Sequence, residues 1–205
     1  MDGFNLYNGI RVMPPTSKWL NLESLTNQLL PNREIHLIKY FTANVKFRAD
    51  DPTQQQRQQI YFRALRTIGH LEICLGRFNS WDRWLPRSNC LKNGHVETSQ
   101  VVKTEEKGSD VNLATHLLVD GVVGKYDEAW VVSNDSDLLS PVLLGRSELG
   151  LNIGTINPQK YKKRVRKLHD PSKGFVQLTV NHVLANQFPD SVKDRKGSFA
   201  KPAIW

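Results

Sequence analysis

The chain has 205 residues, 39% of them hydrophobic and 23% charged, enough to bury a core without staples and too ordinary for a disordered or low-complexity class. No apolar run approaches the roughly 20 residues of a membrane helix, and the opening MDGFNLYNGI lacks the basic and apolar regions of a secretory signal. The formal net charge of +8 lies wholly in the last quarter: residues 155–205 hold 11 Lys and Arg against 3 Asp, whereas residues 1–154 balance at 17 against 17.

In chain order, strand-like segments alternate with helix-like ones. Residues 34–41 (EIHLIKYF) read as a strand, and Asp51-Pro52 opens a helix whose inward stripe includes Ile60, Leu65 and Ile68 and which Gly69 stops. Residues 71–75 (LEICL) read as a second strand. From Gly76 to Ser99 the chain is polar, with Phe78, Trp81 and Trp84 and no clear period, and is expected to be a long excursion or lid. A short strand is expected at 100–103 and a helix at 109–123. Residues 129–133 (AWVVS) have the near-continuous apolar pattern of a strand buried on both faces. A helix over 138–149, capped by Gly150, precedes a strand over 151–156. Asn157-Pro158 then leads into a basic helix, where six of the eight residues from Lys160 to Lys167 are cationic. The tail from Phe188 reads as irregular. This alternation predicts an α/β domain with a mostly parallel central sheet. Two cysteines, Cys74 and Cys90, form neither a CxxC pair nor a disulfide framework, so a reducing cytoplasm is the expected setting.

In a parallel α/β sheet, ligands sit outside the carboxyl ends of the strands. Four aspartates fall near those ends. Asp135 and Asp137 follow the AWVVS strand directly, Asp110 opens the helix before it, and Asp2 stands at the start of the chain. Carboxylates gathered in this way repel one another unless a cation sits between them, and a hard divalent ion is the usual solution. Plainer roles are open for each: an Asx turn for the DxD pair, a helix cap or first-turn charge for Asp110, and none for Asp2. His116 and Asp120, four apart on one helix, read as a local pair rather than a zinc site. No GxGxxG, GxxxxGK[ST] or GxSxG fingerprint is present.

The segments DGFNLY (2–7), KTEEKGSDVNLATHLLVD (103–120) and YDEAWVVSNDSDLLSPV (126–142) resemble, in order, the three signature blocks of NYN domains. These are a branch of the PIN-like nuclease superfamily, and the chain is similar to its bacterial LabA-like group. The resemblance implies a three-layer α/β/α PIN-like domain over 1–157. Residues 158–205 would form a basic C-terminal helix and extension packed on the same domain. It also implies a metal-dependent nuclease, chiefly an endoribonuclease, acting on single-stranded or structured RNA. Asp2, Asp110, Asp135 and Asp137 would be catalytic and would hold Mg²⁺ or Mn²⁺. Asn5, Lys107, Ser133, Lys160, Lys163 and Arg164 would contact substrate. The alternative on the same fold is a non-catalytic module that binds RNA or a protein partner, with homo-oligomerisation left open and no membrane partner.

Two departures mark the match. Asn134 stands where many members have glycine. The apolar strand that precedes the first block in the family, at the centre of the sheet, is missing ahead of Asp2, so either the true start lies upstream or the chain is a fragment whose first carboxylate is loosely held. Arg77, Arg83 and Arg87 beside Trp81 and Trp84 give the excursion the aromatic and basic mixture suited to single-stranded nucleic acid, or a private core for a lid.

Overall fold

The computed structural model describes the backbone of residues 1–92 and 95–205, and the side chains of these except 88–97. It is a mixed α/β structure with a mostly parallel sheet. Three strands order as β1 (Ile38–Ala43), β2 (Leu71–Lys92) and β3 (His95–Lys107), and three more as β4 (Ala129–Val132), β5 (Ile153–Asn157) and β6 (Phe175–Gln177). Pairing is parallel throughout except between β2 and β3.

The two groups of strands meet at Met1 and Asp2. The N–H of Asp2 donates to Val132 O (3.0 Å) on β4, and Phe41 N–H on β1 donates to Met1 O (2.9 Å). Two residues thus close the gap between β1 and β4, running parallel to Phe41.

Alternation along the strands sends side chains to opposite faces. Tyr40, Val132 and Ile156 enter one core with Leu6 and Ile10 of α1 (Gly3–Ile10), Leu22, Leu25 and Leu29 of α2 (Leu22–Leu29), and Phe62 and Leu65 of α3 (Gln54–Leu65). Phe41, Val131 and Ile153 enter a second with Leu113 and Leu117 of α4 (Ser109–Val122) and Val142 of α5 (Leu139–Ser147). Helices therefore cover both faces. A short α6 (Val180–Ala185) is set by a capping box in which the Thr179 and His182 side chains bond reciprocally to backbone N–H groups.

Four expectations are corrected. The first strand is Ile38–Ala43 rather than 34–41. Over its described residues the excursion expected at 76–99 is not a loop, with 93 and 94 lying outside them: β2 continues through it and pairs antiparallel with β3, Arg77 to Pro86 opposite Thr98 to Lys107. Its missing period has a physical cause, since a ribbon wet on both faces has no reason to segregate apolar residues.

The basic segment is no α-helix. It makes a single 3₁₀ turn at Tyr161–Lys163, because the Asn134 side chain captures Lys163 O (3.0 Å) and Val165 N–H (2.8 Å), groups a helix would need for itself. Six cations without an apolar stripe offer nothing to offset that. The tail is a hairpin of β7 (Ser191–Asp194) and β8 (Gly197–Ala200), tied to α3 by paired bonds from Arg63 to Asp194, each 2.7 Å.

Candidate carboxylate site

Asp2 caps α1. Its Oδ1 accepts from Asn5 N–H (2.9 Å) and its Oδ2 from the Ser133 hydroxyl (2.7 Å), and only 3% of the residue is exposed. The expectation of a loosely held first carboxylate is therefore corrected: helix capping and the bond across to the β4 end fix it. Burial pushes its carboxyl above the usual range, with the two hydrogen bonds opposing.

Ser133 follows β4 and is fully buried. Its Oγ also accepts from Asp135 N–H (3.0 Å), so one hydroxyl ties Asp2 to the loop that bears Asp135. Asp135 caps the 3₁₀ turn Ser136–Leu138, its Oδ1 accepting from Asp137 N–H (3.0 Å). The local Asx turn is thus present, and Asp137 itself is exposed.

Asp110 lies in the first turn of α4. Burial, then the charges of Asp2, Asp135, Glu106 and Asp137, push its carboxyl up to about 6. Glu106 is anchored by accepting from Ser109 N–H (3.0 Å) and Oγ (2.7 Å). Among the described residues, no Lys or Arg forms an ion pair with Asp2, Asp110, Asp135 or Asp137. The structure therefore brings these four into one electrostatic neighbourhood in which, among the described residues, the Met1 ammonium opposes the charge of Asp2 and no Lys or Arg side chain neutralises the rest.

The fit to Mg²⁺ or Mn²⁺ is incomplete. Among the described residues no three His, Cys, Asp or Glu side chains converge closely enough to hold one ion.

Other expected site residues divide. Asn5 belongs: its Oδ1 accepts from Asn134 N–H (2.9 Å) and Gln159 Nε2 (3.1 Å), joining α1 to the two loops beyond β4 and β5. Lys107 points elsewhere, paired with Glu105 (2.8 Å), which also takes Lys103. Lys160 and Lys163 are exposed, and Arg164 lies 3.8 Å over the Tyr161 ring. Asp120 is a structural acid, bonded to Lys39 and Lys125 with His116 at 3.7 Å.

Two residues carry no mark of their role in the sequence. Asn134 spans from Asn5 to the basic turn, and its Oδ1 faces His169 Nε2 at 3.2 Å. His169 is buried, with Nδ1 3.1 Å from Thr155 Oγ1, and burial followed by Arg164 and Arg146 holds its ring down to about 4.

No protein-family model matches the chain. A solved structure of a protein of unknown function from Vibrio parahaemolyticus superposes with a TM-score of 0.50 at 15% identity, covering 86% of this chain and 88% of that one. That likeness speaks to the α/β fold alone. Sequence kinship goes further and defines a class, a family containing an oxygen-inserting oxidoreductase. The chain belongs to the family of the 6-hydroxy-3-succinoylpyridine 3-monooxygenase HspA of Pseudomonas putida, with 30% identity over all of this chain and 73% of the relative. This kinship overturns the nuclease and ribonuclease expectation: the named relative is a monooxygenase, and clustered carboxylates do not by themselves specify phosphodiester chemistry.

Proposed function

We propose that this chain is an oxidoreductase that hydroxylates a small nitrogen-containing aromatic compound. The observation that supports this most is the 30% identity to a 6-hydroxy-3-succinoylpyridine 3-monooxygenase along the full length of the chain. Monooxygenation places one atom of O₂ on the substrate and reduces the other to water. It consumes two electrons, from a reduced nicotinamide or flavin, and two protons. Asp110 handles protons in this reading: a half-buried carboxyl held at about 6 exchanges a proton readily near neutral pH. Asp2, Ser133 and Asn5 position the loop that faces it. The PIN-like arrangement is part of the same proposal. It is supported by the gathering of Asp2, Asp110 and Asp135 beyond a parallel sheet covered on both faces.

The test is aerobic incubation of the purified chain with 6-hydroxy-3-succinoylpyridine and NADH, with and without FAD, under isotopically heavy O₂. Mass spectrometry is expected to find one heavy oxygen atom per product molecule. Product free of the label, or no product with either donor set, overturns the reading. Asp110→Asn is expected to lower kcat by about 100-fold, with KM little changed, and to remove an inflection near pH 6.

A further inference from the structure

At the opposite end of the strands, where β4, β5 and β6 begin, lies a cavity of about 480 Å³, within the range of roughly 300–1,000 Å³ typical of small-ligand pockets. Its charged lining is Arg33, Arg146, Lys173 and Glu128, and Trp130, Leu151 and Ile153 supply apolar wall. Glu128 is taken by Arg33 at 2.6 Å, which leaves Arg146 and Lys173 with no ion pair among the described residues.

Arg146 is already aimed. Its Nε and Nη2 donate to Ile153 O at 2.9 and 2.7 Å, which fixes the guanidinium plane, and its Nη1 makes no bond to any described residue. Burial lowers its affinity for the proton and the charge of Asp170 opposes this, acting on Arg146 and Lys173 alike without an ion pair to either among the described residues.

Trp130 is equally fixed. The ring lies against Gly154, where a Cβ would stand 2.6 Å from it, so only glycine admits the ring at that position. The guanidinium of Arg33 sits 5.7 Å from the ring centroid. The indole Nε1–H is buried and meets no acceptor among the described residues.

We propose that this cavity binds a small aromatic carboxylate. The carboxylate meets Arg146 and Lys173, and the ring packs on Trp130 and Leu151. Charge-assisted bonds to a fixed guanidinium favour a planar anion over its neutral isostere. The site stands on its lining, independent of any oxygen chemistry.

The experiment is calorimetric titration of the whole chain with nicotinate and, separately, with nicotinamide. Neither oxygen nor reductant is present, so the outcome is separate from that of the hydroxylation assay. Nicotinate is expected to bind about 10-fold more tightly than the amide. Arg146→Gln and Lys173→Gln are each expected to weaken nicotinate several-fold. Lys173 is exposed, so its variant keeps the test valid if the loss of the Arg146 bonds to Ile153 disturbs folding. Equal affinity for acid and amide, absence of binding by both, or full nicotinate affinity in Lys173→Gln overturns the assignment.

Discussion

Asp110 and His169 are shifted in opposite senses, and their effects on stability run opposite ways. The Asp110 carboxyl titrates higher in the fold, at about 6, than in the unfolded chain, so the native state holds the extra proton between the two values. Stability attributable to this group therefore falls as pH rises from about 4 through 6, and the penalty is complete above that. Asp110→Asn is expected to stabilise the protein at pH 7.5 by about 1 kcal/mol, the shift being discounted for solvent screening, with the gain gone below pH 4. Urea denaturation at the two pH values checks this. His169 is held down to about 4, so its contribution is intact above the ordinary histidine value and is lost as pH falls toward 4. His169→Gln is expected to show a loss between pH 7.5 and 4.5 smaller than that of the parent by on the order of 2 kcal/mol, read from the same curves. Asp110, Asp135 and Asp137 were legible in the sequence because each sits at an end of a periodic segment, whereas Asp2 was marked only by the resemblance of its block. Asn134 and His169 were not, since their meaning arises from contacts 14 to 129 residues apart along the chain.

At the scale of elements, α1 is set as much by what it leaves out as by its apolar face. A Cβ on Gly9 would stand 2.1 Å from Pro158 O, so α1 lies directly on the turn after β5. That contact also brings Asn5 to Gln159. Gly9→Ala is expected to destabilise by about 1–3 kcal/mol, measured as a shift in the denaturation midpoint, since backbone rather than a flexible side-chain tip must yield. Elements with one buried face or both were readable: α4 and β4 fall within a residue of the expected bounds. The β2–β3 ribbon was unreadable for the converse reason. Trp81 and Arg83 face one way and Asp82 and Trp84 the other, so neither face is marked by hydrophobicity. The basic segment misled because a charge-dense stretch is locally compatible with helix. The competing Asn134 bonds come from another part of the chain, where no local pattern announces them.

For the whole molecule, the layered α/β class followed from the alternation of strands and helices, and the structure adds two cores on opposite faces of the sheet. Charge asymmetry was visible from the start, yet it named no partner; kinship with a monooxygenase, not electrostatics, redirected the function. The carboxylate neighbourhood and the Trp130 cavity lie at opposite ends of the strands, so the strand directions assign them different loops to vary. Such separation lets a recognition surface change without disturbing the acids.

The seam at Met1 and Asp2 also sets an order of events. Asp2 and its partner Ser133 are 131 residues apart. Met1 can pair with β1 early, but the bonds from Asp2 to Val132 and Ser133 wait until β4 has formed, long after α1, α2, β1 and the ribbon are available. Closure of that long loop is among the slow entropic steps of folding. The carboxylate neighbourhood is thus assembled late, when the last half of the sheet docks onto the first, and the mutual repulsion of its acids falls on that docking step rather than on the earlier collapse.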